Sequence, residues 1–221
     1  MKSEAWLYGS VARDGYTEHS DLDILVLPRG AVIPGLESVI DELPQHEFCS
    51  VTSYTWDEVA RMAEYGSLFL VHLRSEGRLL HEEGSGSGLQ AILDALPPYT
   101  RHDRELRGFA MALDDGLESL RDGGDVRFEL GVAGRVIRHA SILACYLAGD
   151  PKFDRTASIT SAFRLTGMTP ADLDLAVALT AEIRRRDQEP FHCVPSRREA
   201  MDMFNLARTF VGRVATDHAA A

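Results

Sequence analysis

The residues best suited to chemistry lie near the start of the chain, where two aspartates open an apolar segment. Asp21 and Asp23 precede the run 24–27, whose composition is typical of a buried strand. Alternate residues of a strand point to the same side, so the two carboxylates are expected to project together. Like charges held this close repel each other unless a cation lies between them. The spacing therefore predicts a site for Mg²⁺, which commonly combines one or two carboxylates with substrate phosphates.

Gly9 and Ser10 follow a short predicted strand, 5–8, and come about ten residues before the aspartates. A glycine and a serine leaving a strand let the backbone approach a phosphate closely and offer it amides and a hydroxyl. Phosphates at one end and carboxylates at the other, bridged by Mg²⁺, fit nucleotidyl transfer. In that reaction, metal ions neutralise the triphosphate and align the attacking and leaving oxygens.

The order of these residues resembles the DNA polymerase beta-like nucleotidyltransferase superfamily. The resemblance is nearest to the small bacterial branch, which contains aminoglycoside and lincosamide adenylyltransferases and the minimal nucleotidyltransferases of toxin–antitoxin pairs. It extends more loosely to residues 53–55 and 76–80. The matching residues are Gly9, Ser10, Ala12, Arg13, Ser20, Asp21 and Asp23.

The resemblance implies a role for each matching polar residue. By this resemblance, Asp21 and Asp23 are expected to be the catalytic metal ligands. Gly9, Ser10 and Ser20 are expected to bind the nucleotide. The nucleotide is ATP or another nucleoside triphosphate. Two roles are open for Arg13: its side chain could face phosphate, or it could pair on a helix with Asp14 or Glu18.

The third carboxylate of the family is missing from its expected place. It is expected on the next long strand, where this chain has Ser50. Glu47 is the nearest acid, but three residues away on a strand it would point to the opposite face. This acid often serves as a metal ligand or as the base for the attacking hydroxyl. Its loss leaves the fold prediction intact and puts catalysis in doubt.

Candidate replacements for that base lie in the second half of the chain. They are Asp114, Asp115, Glu118 and Glu129, although polar residues on a bundle helix usually face water. Arg186 and His192 form R-x5-H, a spacing that resembles the ribonuclease motif of HEPN domains. Pro190 interrupts it, and the arginines before Asp187 also fit an ordinary helix C-terminus.

Two domains are predicted, an α/β (α+β) nucleotidyltransferase domain with a small mixed sheet and an all-α helical bundle. Strand-like and helix-like segments alternate over residues 1–83, where a Thr55–Glu58 capping box opens one helix. Residues 84–96, which begin with GSGSG, are expected to be a linker. Apolar residues at alternating spacings of four and three favour four or five helices over 97–218.

The composition limits the function classes. The formal net charge is −11, and residues 1–96 hold 6 Lys and Arg against 16 Asp and Glu. This balance disfavours non-specific nucleic-acid binding, which needs cations to replace counterions. No apolar run approaches the roughly 20 residues of a membrane span, and the first residues lack the apolar core of a signal peptide. A cytoplasmic protein is expected, with Cys49, Cys145 and Cys193 as thiols rather than disulfides.

The predicted function is Mg²⁺-dependent transfer of a nucleoside monophosphate, most simply AMP from ATP, to a hydroxyl. The acceptor, a small molecule or a protein, is expected between the two domains, and a homodimer is compatible with the sequence. One alternative is a weakened or inactive protein that binds a nucleotide or a partner on the same fold. Another is a HEPN-like ribonuclease activity in the helical half.

Overall fold

A computed structural model describes residues 2–16, 20–28, 33, 35–44, 46–185 and 195–219. The chain divides into two compact units, Met1–Thr100 and Arg101–Ala221. The first unit contains a sheet with short helices, and the described part of the second unit is helical.

The first unit is built on a mixed four-stranded sheet, as the sequence predicts. Its strands are β1 (Ser3–Tyr8), β2 (Leu22–Leu27), β3 (Cys49–Ser53) and β4 (Arg78–Glu83). The order across the sheet is β3-β2-β1-β4. Strand β1 is antiparallel to both β2 and β4, whereas β2 and β3 are parallel. Among the predicted site residues, Asp23 therefore lies on β2 and Ser50 on the edge strand β3, whereas Gly9 follows the end of β1 and Asp21 immediately precedes β2.

Short helices connect these strands or follow the last of them. They are α1 (Gly9–Ala12), α2 (Leu36–Asp41), α3 (Trp56–Glu64), α4 (Leu68–Glu76) and α5 (Leu89–Asp94), with a 3-10 helix at His46–Phe48. The predicted capping box opens α3: Thr55 Oγ1 accepts the Glu58 N–H at 3.2 Å, and the Glu58 carboxylate accepts the Thr55 N–H at 2.7 Å. The core beneath the site contains Leu22 and Ile24, both fully buried, which explains why the run after Asp21 is apolar.

The predicted linker is ordered in its second half. Residues 84–87 are exposed, but α5 follows them and buries Leu89 and Leu93 completely. The cause is Glu4, which is 2 % exposed on β1. Its carboxylate accepts hydrogen bonds from the Trp6 indole at 2.8 Å and from the Leu89 N–H at 3.0 Å. The first unit consequently continues past residue 96, and the helical unit begins at Arg101 rather than at residue 97.

Five helices are described in the second unit. They are α6 (His102–Arg121), α7 (Val126–Leu147), α8 (Arg155–Leu165), α9 (Pro170–Arg185) and α10 (Arg197–Ala219). Helix α7 contacts the other four and so occupies the centre. Helix α7 ends just before Gly149, whose φ of +79° suits a residue without a side chain.

Helix α7 is long and apolar enough to cross a membrane by length and composition alone, with a mean hydropathy of 1.2 over its best window. However, 61 % of that window is buried inside the protein. Its apolar surface is thus covered by neighbouring helices, as in the core helix of a bundle. Cys145 lies on this helix as a free thiol, and burial raises its pKa to about 11.

Substituting Gly66 tests the assignment of residues 97–100 to the first unit. Gly66 has a φ of +68°, and a Cβ there would lie 2.3 Å from the Pro97 carbonyl oxygen and 2.6 Å from that of Pro98. Gly66→Ala should lower the free energy of unfolding by about 2–4 kcal/mol, since the cost of left-handed backbone adds to that of overpacking. Chemical denaturation followed by circular dichroism measures this change.

Gly35→Ala is the matched control, because Gly35 has a similar φ of +76° and a Cβ there would have nothing within 4 Å. Gly35→Ala should lower the free energy of unfolding only by the cost of a left-handed backbone conformation, about 1–2 kcal/mol. Equal losses in the two variants would show that residues 97 and 98 do not pack on Gly66.

Candidate functional site

The site begins where β1 ends, beside the start of β2. Tyr8 is paired in register with Asp23, and Gly9 follows Tyr8 directly. Gly9 has a φ of +78°, and a Cβ at this residue would lie 2.6 Å from Asp23 Oδ2. No side chain fits there without displacing the carboxylate. Glycine is therefore required both for the turn and for the close approach of the Asp23 carboxylate to the backbone.

The two aspartates lie on either side of a buried residue. Leu22 and Ile24 are fully buried, whereas Asp21 is exposed and Asp23 is partly exposed. The alternation is confined to the start of β2, because residues 25–27 are all buried. At that end of the strand both carboxylates belong to the face opposite Leu22 and Ile24. Carboxylate oxygens are hard ligands, and the Gly9 turn lies against one of them. The donor set thus fits a Mg²⁺ ion that shares its coordination with a phosphate.

The two serines are placed differently. Ser10 is partly buried in α1, and its carbonyl accepts the Gly15 N–H at 3.1 Å, which closes the turn after that helix. Ser20 is 4 % exposed and immediately precedes Asp21. Both serines are therefore close in sequence to the residues that form the Gly9–Asp23 contact, and Ser10 follows the glycine itself.

Arg13 is held by an acid that the sequence analysis did not single out. Its guanidinium donates to the carboxylate of Glu76 on α4, and His72 Nε2 lies 2.8 Å from the same carboxylate. Asp14 accepts a hydrogen bond from Arg78 at 2.9 Å, and Glu18 lies outside the described residues. Nothing in the local sequence links Arg13 to a residue on α4, because the pairing depends on the tertiary fold.

The Glu76 carboxylate is ionised in this arrangement. Burial alone raises its pKa, but the hydrogen bonds from His72 and Arg13 outweigh that effect and bring the pKa below its ordinary value. A charged Glu76 therefore ties Arg13, at the end of α1, to α4. The ion pair thereby helps to hold the Gly9 turn in place.

An aromatic group borders the site and was also missed by the sequence analysis. The Tyr8 ring makes edge contacts with Phe69 at 5.5 Å and His72 at 5.7 Å between ring centroids. Its hydroxyl lies 3.4 Å from Thr52 Oγ1 on β3. Burial raises the pKa of Tyr8, and the Asp23 carboxylate adds to that rise against the Thr52 hydrogen bond. The phenol is accordingly neutral and links β1 to β3.

Ser50, where the family resemblance leads us to expect a third carboxylate, lies on β3. It is the register partner of Asp23 in the parallel pair of β2 and β3, so both residues belong to the same face of the sheet. Glu47 lies in the 3-10 helix before the strand and is exposed. The predicted position of Glu47 on the strand is therefore wrong, because β3 begins only at Cys49.

Among the residues that the structure describes, Asp21 and Asp23 have no third ligand close to both. A cluster of three possible metal-ligating side chains does occur among the described residues, but it lies in the second unit. The ligand atoms of that cluster all lie within 4.8 Å of one another. Within the described part of the first unit, the candidate metal site therefore consists of two carboxylates, Asp21 and Asp23, with the uncharged Ser50 paired to Asp23.

The candidate bases of the second unit have different surroundings. Asp114 pairs with Arg208 on α10 at 3.0 Å, while Asp115 and Glu118 are exposed on α6. Glu129 is 7 % exposed and packs on α6, where a Cβ at Gly116 would lie 3.0 Å from its Oε2. Arg186 and His192, the residues of the predicted ribonuclease motif, lie outside the described residues.

Comparison with known proteins agrees with this geometry. Residues 2–52 match the family described as a nucleotidyltransferase domain, a range that includes β1, β2 and most of β3. No curated protein matches the sequence significantly. The fold is similar to that of spectinomycin adenyltransferase AAD(9) from Enterococcus faecialis, solved with ATP and spectinomycin. The TM-score is 0.50 at 11 % identity, and the match covers 97 % of this chain and 92 % of that chain.

The matched segment contains the Gly9 turn, both aspartates and Ser50, and the structural likeness continues through the helical unit. The chain is therefore similar to nucleotidyltransferase domains over residues 2–52, and its fold, a small mixed sheet followed by a helical region, is like that of the adenyltransferase.

Proposed function

We propose that this protein transfers a nucleoside monophosphate, AMP from ATP, to a hydroxyl group of a small molecule. The observation that carries the proposal is the contact between the Gly9 backbone and the Asp23 carboxylate, so close that a Cβ at Gly9 would lie 2.6 Å from Oδ2. It puts a turn suited to phosphate directly beside a carboxylate suited to a metal ion. The neighbour of similar fold was solved with ATP and spectinomycin, which supports a nucleoside triphosphate as donor and a small molecule as acceptor.

Asp21 and Asp23 would hold Mg²⁺, which supplies positive charge to the triphosphate and to the developing charge on its leaving group. The Gly9 and Ser10 amides and the Ser10 hydroxyl bind phosphate oxygens, and Ser20 supports Asp21 from the preceding position. Arg13 acts mainly on the protein side, because its guanidinium is engaged by Glu76 and fixes α1. The protein therefore contributes position and charge rather than covalent chemistry.

The acceptor hydroxyl must lose a proton, and Ser50 cannot take it as a carboxylate would. A base typically contributes about 10²–10⁴-fold to the rate. Asp114, Asp115, Glu118 and Glu129 are the candidates to supply it. Asp115 and Glu118 suit the role better than Glu129, because both are exposed on α6 whereas Glu129 is buried among helices.

The register of Ser50 with Asp23 also favours a second candidate function, in which the domain binds a nucleotide without transferring it. A site with two carboxylates is less negative than one with three and should hold a metal ion weakly without nucleotide. Nucleotide binding that depends on Mg²⁺ but produces no labelled product would favour this function.

Replacing either aspartate should remove metal-dependent nucleotide binding. Asp21→Asn and Asp23→Asn each eliminate a charge from the Mg²⁺ site, so affinity for Mg²⁺ with a non-hydrolysable ATP analogue should fall at least about 30-fold, equivalent to about 2 kcal/mol. Calorimetric titration measures the change, and circular dichroism should show an intact fold. Asp57→Asn is the control, since Asp57 is an exposed acid on α3. Unchanged affinity in both site variants would refute the metal site.

Adding one methyl group at Gly9 tests the close approach itself. Gly9→Ala should push the Asp23 carboxylate aside, weaken binding of the Mg²⁺-nucleotide complex about tenfold or more, and lower the free energy of unfolding by about 1–2 kcal/mol. Gly15→Ala is the control, because nothing lies within 4 Å of a Cβ at Gly15. Equal nucleotide affinity in the two variants would mean that Gly9 has no part in the site.

Restoring a carboxylate on β3 tests the meaning of Ser50. Ser50→Asp should tighten Mg²⁺ binding and, where the new group also serves as the base, raise the transfer rate by up to about 10²–10⁴-fold. The assay follows label from α-labelled ATP onto a panel of aminoglycosides and other small polyols. Ser53→Asp places an acid on the same strand but opposite Val26, and should have no such effect. Equal Mg²⁺ affinity and equal transfer rates in Ser50→Asp and Ser53→Asp would show that position 50 is not the place of the missing ligand.

A further inference from the structure

The first turn of α6 and the last turn of α10 bring three metal-binding side chains together. His102, Asp103 and His218 each offer one ligand atom, and these atoms all lie within 4.8 Å of one another. The two histidines come from helices that are far apart in sequence and pack against each other within the second unit. Near this end of the helix pair, Leu106 of α6 and Val214 of α10 are both buried. The packing of α6 against α10 therefore brings the three side chains together.

The spacing of the ligand atoms suits a small tetrahedral ion. His102 Nδ1 lies 3.2 Å from Asp103 Oδ1, and the rings of His102 and His218 meet edge to face with 4.4 Å between centroids. Two ligands about 2.0–2.1 Å from a tetrahedral ion are about 3.3–3.4 Å apart. The first pair already has nearly this separation. The His218 ligand atom lies within 4.8 Å of the other two, and a shift of its side chain would bring it closer to this separation.

The kinds of ligand select a transition metal over Mg²⁺. Neutral imidazole suits zinc, copper and nickel, whereas Mg²⁺ requires oxygen ligands in octahedral geometry. Two imidazoles and a carboxylate are also a common set of three protein ligands for Zn²⁺.

Partial exposure leaves the site open to solvent. The side chain of His102 is 26 % exposed and that of Asp103 is 66 % exposed, and His218 is also partly exposed. A metal ion can enter without unfolding of the helices, and water can occupy a fourth position. The cluster belongs wholly to the second unit and shares no residue with the Mg²⁺ site proposed at Asp21 and Asp23.

We propose that His102, Asp103 and His218 form a zinc site that fastens the start of α6 to the end of α10. The bound ion would stabilise the helical unit, because it binds the folded arrangement and the three ligands are not held together in the unfolded chain. This role is independent of nucleotidyl transfer.

The test uses the full chain, stripped with a chelator and titrated calorimetrically with Zn²⁺ in excess Mg²⁺. The wild-type protein should bind one Zn²⁺ that His102→Ala and His218→Ala each weaken at least about tenfold. Zn²⁺ at one hundred times its dissociation constant should raise the Tm by about 5–10 °C. Both histidine variants should lose this rise. His139→Ala, which removes an exposed histidine of α7, should retain the site and the Tm rise.

Circular dichroism with chelator present shows whether each variant folds, and His218→Gln and Asp103→Asn replace any variant that does not. Retention of wild-type zinc affinity in the His102 and His218 variants would overturn the proposal. So would absence of zinc binding at about 100 μM in the wild-type protein. A Tm that rises equally with Zn²⁺ in wild type and His218→Ala would equally place the ion elsewhere.

Discussion

The close approach of the Gly9 backbone to the Asp23 carboxylate is the contact on which the proposed site depends. It requires a residue without a side chain at the end of β1, and it requires β2 to return antiparallel with Tyr8 opposite Asp23. The buried Leu22 and Ile24 fix that return, because any slip of one residue would turn both carboxylates into the core. The chemistry of the site is thus set by strand register as much as by residue type.

The surrounding interactions hold this contact in place from several directions. The ion pair of Arg13 with Glu76 anchors α1, and the neutral Tyr8 joins β1 to β3 through Thr52. Farther away, buried Glu4 accepts hydrogen bonds from Trp6 and Leu89 and so attaches α5 to the sheet. Each of these groups is polar and buried or partly buried, and each is satisfied by a residue distant in sequence. Such interactions specify one arrangement among the many compact ones available.

Sequence reasoning captured what depends on local patterns. The mixed sheet, the helical second half and the Thr55–Glu58 cap all follow from periodicity or motif order. It did not identify Glu76 as the partner of Arg13, because that contact spans 63 residues of chain. It also assigned residues 84–96 to a linker, because the glycines and serines at the start of this segment masked the short apolar face of α5. Glu47 was placed on a strand that begins two residues later, a boundary that short strands rarely reveal.

The most direct measurement of the central claim is transfer of label from α-labelled ATP to a small-molecule hydroxyl, followed with and without Mg²⁺. Aminoglycosides and spectinomycin form the first acceptor panel, and stoichiometric binding of the Mg²⁺-nucleotide complex is measured in parallel. We expect Mg²⁺-dependent nucleotide binding together with a labelled product and released pyrophosphate, all of which should be lost in Asp23→Asn. Absence of Mg²⁺-dependent nucleotide binding in the wild-type protein, or label transfer that persists unchanged in Asp23→Asn, would contradict it.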